Sequence, residues 1–103
     1  TTAGIGRASG PTSPPGPDPS FRNAAPAYPE AARLRGEVGS VRLELNIGTD
    51  GRVITVQVIG TSGSPMLDAT ARRAAEGWRF RPALQDGQPV PGTIRTSLHF
   101  RLQ

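Results

Sequence analysis

The run from Thr93 to Leu102 constrains the fold more than any other stretch: Ile94, Thr96, Leu98, Phe100 and Leu102 alternate with Arg95, Ser97, His99 and Arg101. Successive side chains of an extended chain point to opposite faces, so this alternation predicts a β-strand with one face on a core and one in water. Such a strand needs partners. Val41, Leu43, Leu45 and Ile47 alternate with Arg42, Glu44 and Asn46 in the same way. Gly48-Thr49-Asp50-Gly51 then supplies a turn, with Asp50-Gly51 able to take the positive φ values of tight hairpins, before a return run from Arg52 to Ile59. That run is less regular, because Val53-Ile54 and Val58-Ile59 are adjacent apolar pairs. A bulge near Ile54-Thr55 would reset the phase; partial burial on both faces is the alternative.

Two segments carry helical signals. Tyr28 to Leu34 has Pro29 at its first position, Glu30 where a negative charge suits the helix dipole, and Gly36 as a stop. Tyr28 and Leu34 are the large residues available to pin it to a sheet. From Pro65 to about Arg79, Ser64 is the expected N-cap, and Leu67, Ala71, Ala74 and Trp78 form one narrow apolar stripe. Trp78 is expected to contribute the largest single piece of buried area. Pro82 ends this element, and Leu84 to Gly92 reads as a loop around Asp86-Gly87 and Pro89-Val90-Pro91. The predicted architecture is α+β: a three-stranded antiparallel sheet packed against two helices, in the order helix, strand, strand, helix, strand.

The head of the chain differs in composition. Pro11, Pro14, Pro15, Pro17 and Pro19 stand among Gly4, Gly6, Gly10 and Gly16, with Ile5 the only large apolar residue before Phe21. Too little apolar surface is present to offset the entropy of ordering, so residues 1–22 read as a disordered Pro/Gly-rich linker and 23–103 as the folded domain. About eighty residues can fold alone with modest stability. The chain opens on Thr1-Thr2 rather than Met, as a piece of a longer protein would.

Every basic residue is arginine, and the formal net charge is +4. Nucleic-acid binding is not expected. Only Arg72-Arg73 are adjacent, and Glu30, Glu37, Glu44, Asp50, Asp68, Glu76 and Asp86 interrupt any basic stripe. The chain has no cysteine, and one histidine with dispersed carboxylates makes no ligand set, so neither metal nor cofactor is expected. Catalysis is not expected either. His99 would need an orienting carboxylate and a delivered serine, whereas Ser97 points the same way about 7 Å off along the strand. Gly60-Thr61-Ser62-Gly63 lacks the Gly-Lys-Ser/Thr ending of a phosphate loop, and Pro65 removes a donor amide. Glu44 has no neighbouring acid on its strand.

What remains is the last strand itself. If it pairs with the first strand of the hairpin, it becomes a sheet edge. Arg95 and Arg101 then either blunt that edge or flank one that accepts an added peptide strand. Alternation does not decide between these.

Five segments together add information: Pro26-Ala27-Tyr28-Pro29-Glu30-Ala31-Ala32-Arg33, Gly39-Ser40-Val41, Asp50-Gly51-Arg52-Val53, Trp78-Arg79-Phe80-Arg81-Pro82, and Asp86-Gly87-Gln88-Pro89-Val90-Pro91. In order and spacing, from Pro26 to Leu102, the chain resembles the C-terminal domain of TonB-family energy transducers. The resemblance implies the periplasmic domain of an inner-membrane-anchored protein of a Gram-negative bacterium. Upstream regions would connect it to an ExbB/ExbD-type motor. Its partners would be outer-membrane TonB-dependent transporters, whose TonB box it takes as an added strand to drive uptake of cargo such as iron-siderophores, haem or cobalamin. Carried onto this chain, the partner-binding residues are Thr93, Arg95, Ser97, His99 and Arg101 on the pairing strand, with Pro26, Tyr28 and Pro29 as the neighbouring contact segment. Tyr28 as a core anchor is the alternative. Ala25 stands where some family members have Gln, so a side-chain contact from that position is not carried over. A general periplasmic interaction module, TolA-like or cell-wall binding, and a basic nucleic-acid or polyanion binder are the other readings. A homodimer through the same edge stays open.

Overall fold

The computed structural model describes residues 10–102. In chain order the elements are α1 (Glu30–Leu34), β1 (Gly39–Ile47), β2 (Val53–Gly60), α2 (Pro65–Glu76), β3 (Ala83–Gln85), β4 (Gln88–Val90) and β5 (Gly92–Phe100). The main sheet is antiparallel with β1 in the centre, in the order β2-β1-β5. The α+β class, the three-stranded sheet and the two helices follow the expectation. The addition is a small β3–β4 hairpin between α2 and β5, in the stretch predicted to be a loop. Its turn is Asp86-Gly87, with φ of 52° and 80°. Positive φ at both central residues is the backbone that twists two short strands together, so the turn pairs its flanks.

Burial follows the period of two. Val41, Leu43, Leu45 and Ile47 of β1 are fully buried, and the core closes on them with Ala32, Leu67, Ala71, Ala75 and Phe100. On α2 the buried positions are Leu67, Ala71 and Ala75, spaced by four. The expected stripe through Ala74 and Trp78 is displaced by one residue at Ala75. The helix is capped at Gly77, so Trp78 lies past its end and not on its face. Trp78 is half-buried, edge-on to Phe80 with ring centroids 6.4 Å apart. From past the helix end Trp78 packs against the rim of the core cluster.

α1 is shorter than predicted, with Pro29 as its N-cap. Gly36 (φ 70°) ends it as expected: the Gly36 and Glu37 amides donate to Arg33 and Ala32 carbonyls at 3.0 and 2.9 Å, a Schellman termination. Leu34 does not pin the helix, since it is 73% exposed; Ala32 is the buried residue. Tyr28 is the anchor in its place. Its ring stands edge-on to Phe100 at 5.3 Å, and its hydroxyl donates to the Glu37 carbonyl.

The β1–β2 hairpin holds two bulges, where Asn46↔Thr55 passes to Ile47↔Val53 and where Arg42↔Gly60 passes to Leu43↔Val58. The unpaired residues are Ile54, as the adjacent apolar pair predicted, and Ile59, which the same signal at Val58-Ile59 marks equally. Both are exposed, at 64% and 44%. In the turn only Gly51 has positive φ (84°), and its carbonyl accepts from the Phe80 amide at 2.8 Å. A Cβ there would lie 2.0 Å from the Phe80 oxygen. This glycine therefore shapes the hairpin and seats the chain leaving α2.

Part of the stretch predicted as disordered linker is paired. Ser13 exchanges backbone hydrogen bonds with Leu84, and Gly16 with Arg81. Backbone donors and acceptors on and just before β3, not apolar burial, supply what composition did not anticipate. Residues 1–9 of that stretch lie outside the described residues.

A polar box joins α1 to α2. Ser64 caps α2 by accepting from the Leu67 amide, and its hydroxyl donates to Glu37 at 2.6 Å. The Arg35 guanidinium, 2.7 Å away, and then Ser64 hold the Glu37 carboxyl below its ordinary range. At Asp68 burial pushes upward, but donors from Thr61 and from the Ser62 amide and hydroxyl outweigh it and the net direction is down.

Gly51→Ala is expected to cost about 2–4 kcal/mol in urea denaturation, because strain and a backbone clash add, whereas Gly63→Ala should cost only the positive-φ strain of about 1–2 kcal/mol. Gly63 has the same sign of φ (92°) but nothing within 4 Å of a built Cβ. For pH, both carboxylates titrate lower in the folded chain than their ordinary values of 4.5 and 3.8. Their contribution is full above those values and drains away as pH falls through the depressed ones. Stability measured from pH 6 to pH 2 should therefore fall at the acid end, and Asp68→Asn should flatten that slope.

Candidate functional site

β5 pairs with β1 without a break, from Gly39↔Phe100 to Ile47↔Gly92. Which of its backbone groups remain free follows from one bond at the far end of β1. The Gly48 amide donates to the Arg52 carbonyl at 2.9 Å, which makes Ile47↔Val53 a non-hydrogen-bonded pair on the β2 side. The backbone groups of Ile47, and by alternation of Leu45, Leu43, Val41 and Gly39, therefore turn toward β5. Their partners Ile94, Thr96, Leu98 and Phe100 turn toward β1. The N–H and C=O groups of Thr93, Arg95, Ser97 and His99 face outward along the sheet edge, where no further strand pairs with them among the described residues. These are the strand residues that the sequence singled out; Arg101 lies just past the strand end, exposed.

Their side chains have other work. Across the wet face, Thr93 Oγ1 donates to Asn46 at 3.2 Å, the Arg95 guanidinium donates to Glu44 at 3.0 Å, and Ser40 Oγ meets His99 Nδ1 at 2.6 Å. Ser97 stands opposite Arg42. Cross-strand pairs of this kind hold register. The exposed Glu44–Arg95 pair contributes little to stability by itself. Arg95 is thus drawn over β1 and does not lie across the edge.

The other edge is different. β2 carries the bulges at Ile54 and Ile59, which break the regular spacing of donors and acceptors that an incoming strand needs.

Residues 21–28 run beside β5 and are held by contacts the sequence did not announce. The Asn23 side-chain amide accepts from the Arg79 N–H and donates to the Arg79 carbonyl, both at 2.8 Å, in the manner of a paired strand residue. Trp78 Nε1 donates to the Ala24 carbonyl at 2.9 Å, and the Arg79 guanidinium stacks over Phe21 at 4.9 Å. Two hollows result. One, of about 210 Å³, is walled by Asn23, Ala25, Trp78, Phe80, Ile94 and Leu98. The other, of about 390 Å³, brings Pro26 and Tyr28 together with Leu98, His99, Phe100 and Arg101. Pro29 lines neither, being the cap of α1. Thr93, Arg95 and Ser97 belong to the edge alone. Asn23 carries no signal in the sequence, because a single asparagine before a Pro-rich segment is ordinary loop composition. Trp78 is visible there as a large apolar residue, but its spacing points to the helix stripe.

Among the described residues no group of His, Cys, Asp and Glu is gathered as a metal would require, and no helix is long and apolar enough to cross a membrane.

The class is that of a small α+β domain whose sheet has one bulged edge and one regular edge with hollows beside it. The chain is a member of the family described as Gram-negative bacterial TonB protein C-terminal, whose pattern matches residues 24–102. A TonB protein of Vibrio cholerae is 37% identical over 78 residues, covering 76% of this chain and 32% of that protein. The TonB protein of Pseudomonas aeruginosa is 33% identical over 83 residues, 81% of this chain and 24% of that protein. The chain spans about a third or less of the length of these relatives. The solution structure of the Pseudomonas aeruginosa TonB C-terminal domain superposes with a TM-score of 0.68 at 32% identity, over 81% of this chain and 84% of that one.

Asn23→Ala removes both bonds to Arg79. It is expected to cost about 1–3 kcal/mol in urea denaturation. The emission of Trp78, the only tryptophan, should shift as its partner segment loosens. Unchanged emission and stability would show that the segment is held elsewhere.

Proposed function

We propose that residues 23–103 are a non-catalytic, strand-accepting transducer domain. The TonB box of an outer-membrane transporter pairs with the backbone of Thr93, Arg95, Ser97 and His99, reaching Arg101, while Pro26, Tyr28 and Pro29 flank it. Family membership supports a role in TonB-dependent transport. The observation that carries the mode of binding is the uninterrupted β5 edge, opposite an edge broken by two bulges. Whatever the box presents on its inner-facing side meets the half-buried Ile94 and Leu98 and the hollow under Trp78 and Phe80.

Recognition through backbone bonds is tolerant of side chains, so one domain can serve several transporters. A net contribution of about 0.5–1.5 kcal/mol per bond also permits release after a pulling cycle. In this reading the domain works in the periplasm. The longer protein is anchored in the inner membrane, regions outside this chain engage an ExbB/ExbD-type motor, and the cargo, iron-siderophore, haem or cobalamin, is set by the transporter.

The test is an NMR titration with TonB-box peptides. Amide shifts are expected at Thr93, Arg95, Ser97, His99 and Arg101 and around Pro26 to Tyr28. Shifts centred on β2, or none at millimolar peptide, would overturn the reading. Ser97→Pro deletes an outward amide and should weaken binding at least about tenfold while the fold persists, because edge positions tolerate proline. Thr96→Pro deletes an amide that faces β1 and should unfold the sheet.

A further inference from the structure

Gly10, Ser13 and Gly16 lie against Gly87, Leu84 and Arg81, a run of three-residue steps on both chains. Ser13 and Leu84 exchange bonds of 2.9 Å each way, Gly16 and Arg81 exchange bonds of 3.1 and 2.7 Å, and the Gly87 amide donates to the Pro11 carbonyl at 2.8 Å. The Asp86 amide donates to Thr12 Oγ1 at 3.1 Å. Along a proline-rich segment, contacts spaced by three fit the repeat of a polyproline II helix. The prolines at 11, 14, 15 and 17 leave free positions 13 and 16, whose N–H groups are used. Fit is close: a Cβ at Gly10 would lie 2.6 Å from the Gly87 Cα, and one at Gly92 would lie 2.8 Å from the Pro15 ring.

We infer that residues 10–16 are a releasable strap, docked in polyproline form on the β3–β4 hairpin and braced through Pro15 against the start of β5. Its use rests on the transducer reading above; its existence does not. The strap is outside the buried core: of its residues only Gly16 is buried, and none belongs to the apolar cluster around β1. Prolines limit the freedom it loses on docking, so a few backbone bonds suffice to hold it. Few bonds with little apolar burial also open before the core does. Tension entering from the N-terminal side and resisted at β5 reaches the strap first, and beyond the Phe21–Arg79 stack the next hydrogen-bonded anchor inward is Asn23. Release therefore lengthens the tether while the peptide-holding edge stays folded, and it frees Gly92, next to the first outward amide of that edge.

The test holds this chain by its two ends in optical tweezers and follows amide exchange in parallel. A reversible low-force step is expected ahead of cooperative unfolding, releasing at most about 45 Å of contour for the thirteen residue steps from Gly10 to Asn23. Ser13→Pro combined with Gly10→Val should abolish that step. It should also speed exchange at Gly16, Arg81 and Leu84 by at least about tenfold, leaving the amides of Leu43 and Leu45 unchanged. A single rupture, strap amides exchanging only together with those of β1, or unprotected strap amides in the unaltered chain would each overturn the strap. If the step is present but no box peptide binds, the transducer reading fails alone; if peptide binds but the step is absent, the strap fails alone.

Discussion

Everything in this domain is organised around β1. Its odd-numbered residues from Val41 to Ile47 put fully buried side chains against α1 and α2, while its backbone is paired on both sides. One strand therefore satisfies the hydrophobic and the hydrogen-bonding requirements of the core together, and each neighbour is placed by its register to it. A one-residue slip would turn all four apolar side chains into water. The short helices depend on this arrangement too, because α1 is too brief to persist alone and is held by Ala32, Tyr28 and its Schellman end.

A central strand in a three-stranded sheet leaves two edges, and the chain treats them oppositely. On β2 two extra residues, Ile54 and Ile59, break the ladder. On β5 the ladder is regular, and the polar side chains that would otherwise screen the edge are drawn across the wet face to Asn46, Glu44 and Ser40. The outward backbone groups are thereby left available. Side chains set register on the wet face, and in the proposed mode of binding the backbone does the recognising, which would leave no distinctive side-chain motif at the site.

The alternation in β1 and β5 makes the sheet legible from residue order alone, since it repeats over whole strands and has one physical cause. Ser64-Pro65, Gly36 and the first bulge are legible for a similar reason: each is a local conformational demand met by one or two residues. Legibility fails where a residue's role is set by something distant. Leu34 and Ala32 differ by two positions on a helix of barely more than one turn, where period alone cannot select a face. Trp78 continues the helical spacing, yet the helix is capped at Gly77, one residue before it, so the indole packs against the core from the following segment. The Pro-rich stretch reads as linker because it lacks apolar residues, and its pairing with β3 uses backbone groups that composition does not register.

The sequence by itself determined the three strands of the main sheet, the turn between the first two, that the last strand is wet on one face, and, through five motifs in order, the family; the β3–β4 hairpin it read as a loop. Tertiary structure decided that β5 is an open edge, that Thr93, Arg95, Ser97 and His99 are the residues whose amides face outward, and that Asn23 holds the neighbouring segment in place. The reason is physical. Periodicity fixes where side chains point, but the direction of a backbone amide along a strand depends on which neighbour it has already paired with, and here that was settled by a hairpin bond between Gly48 and Arg52 at the other end of β1.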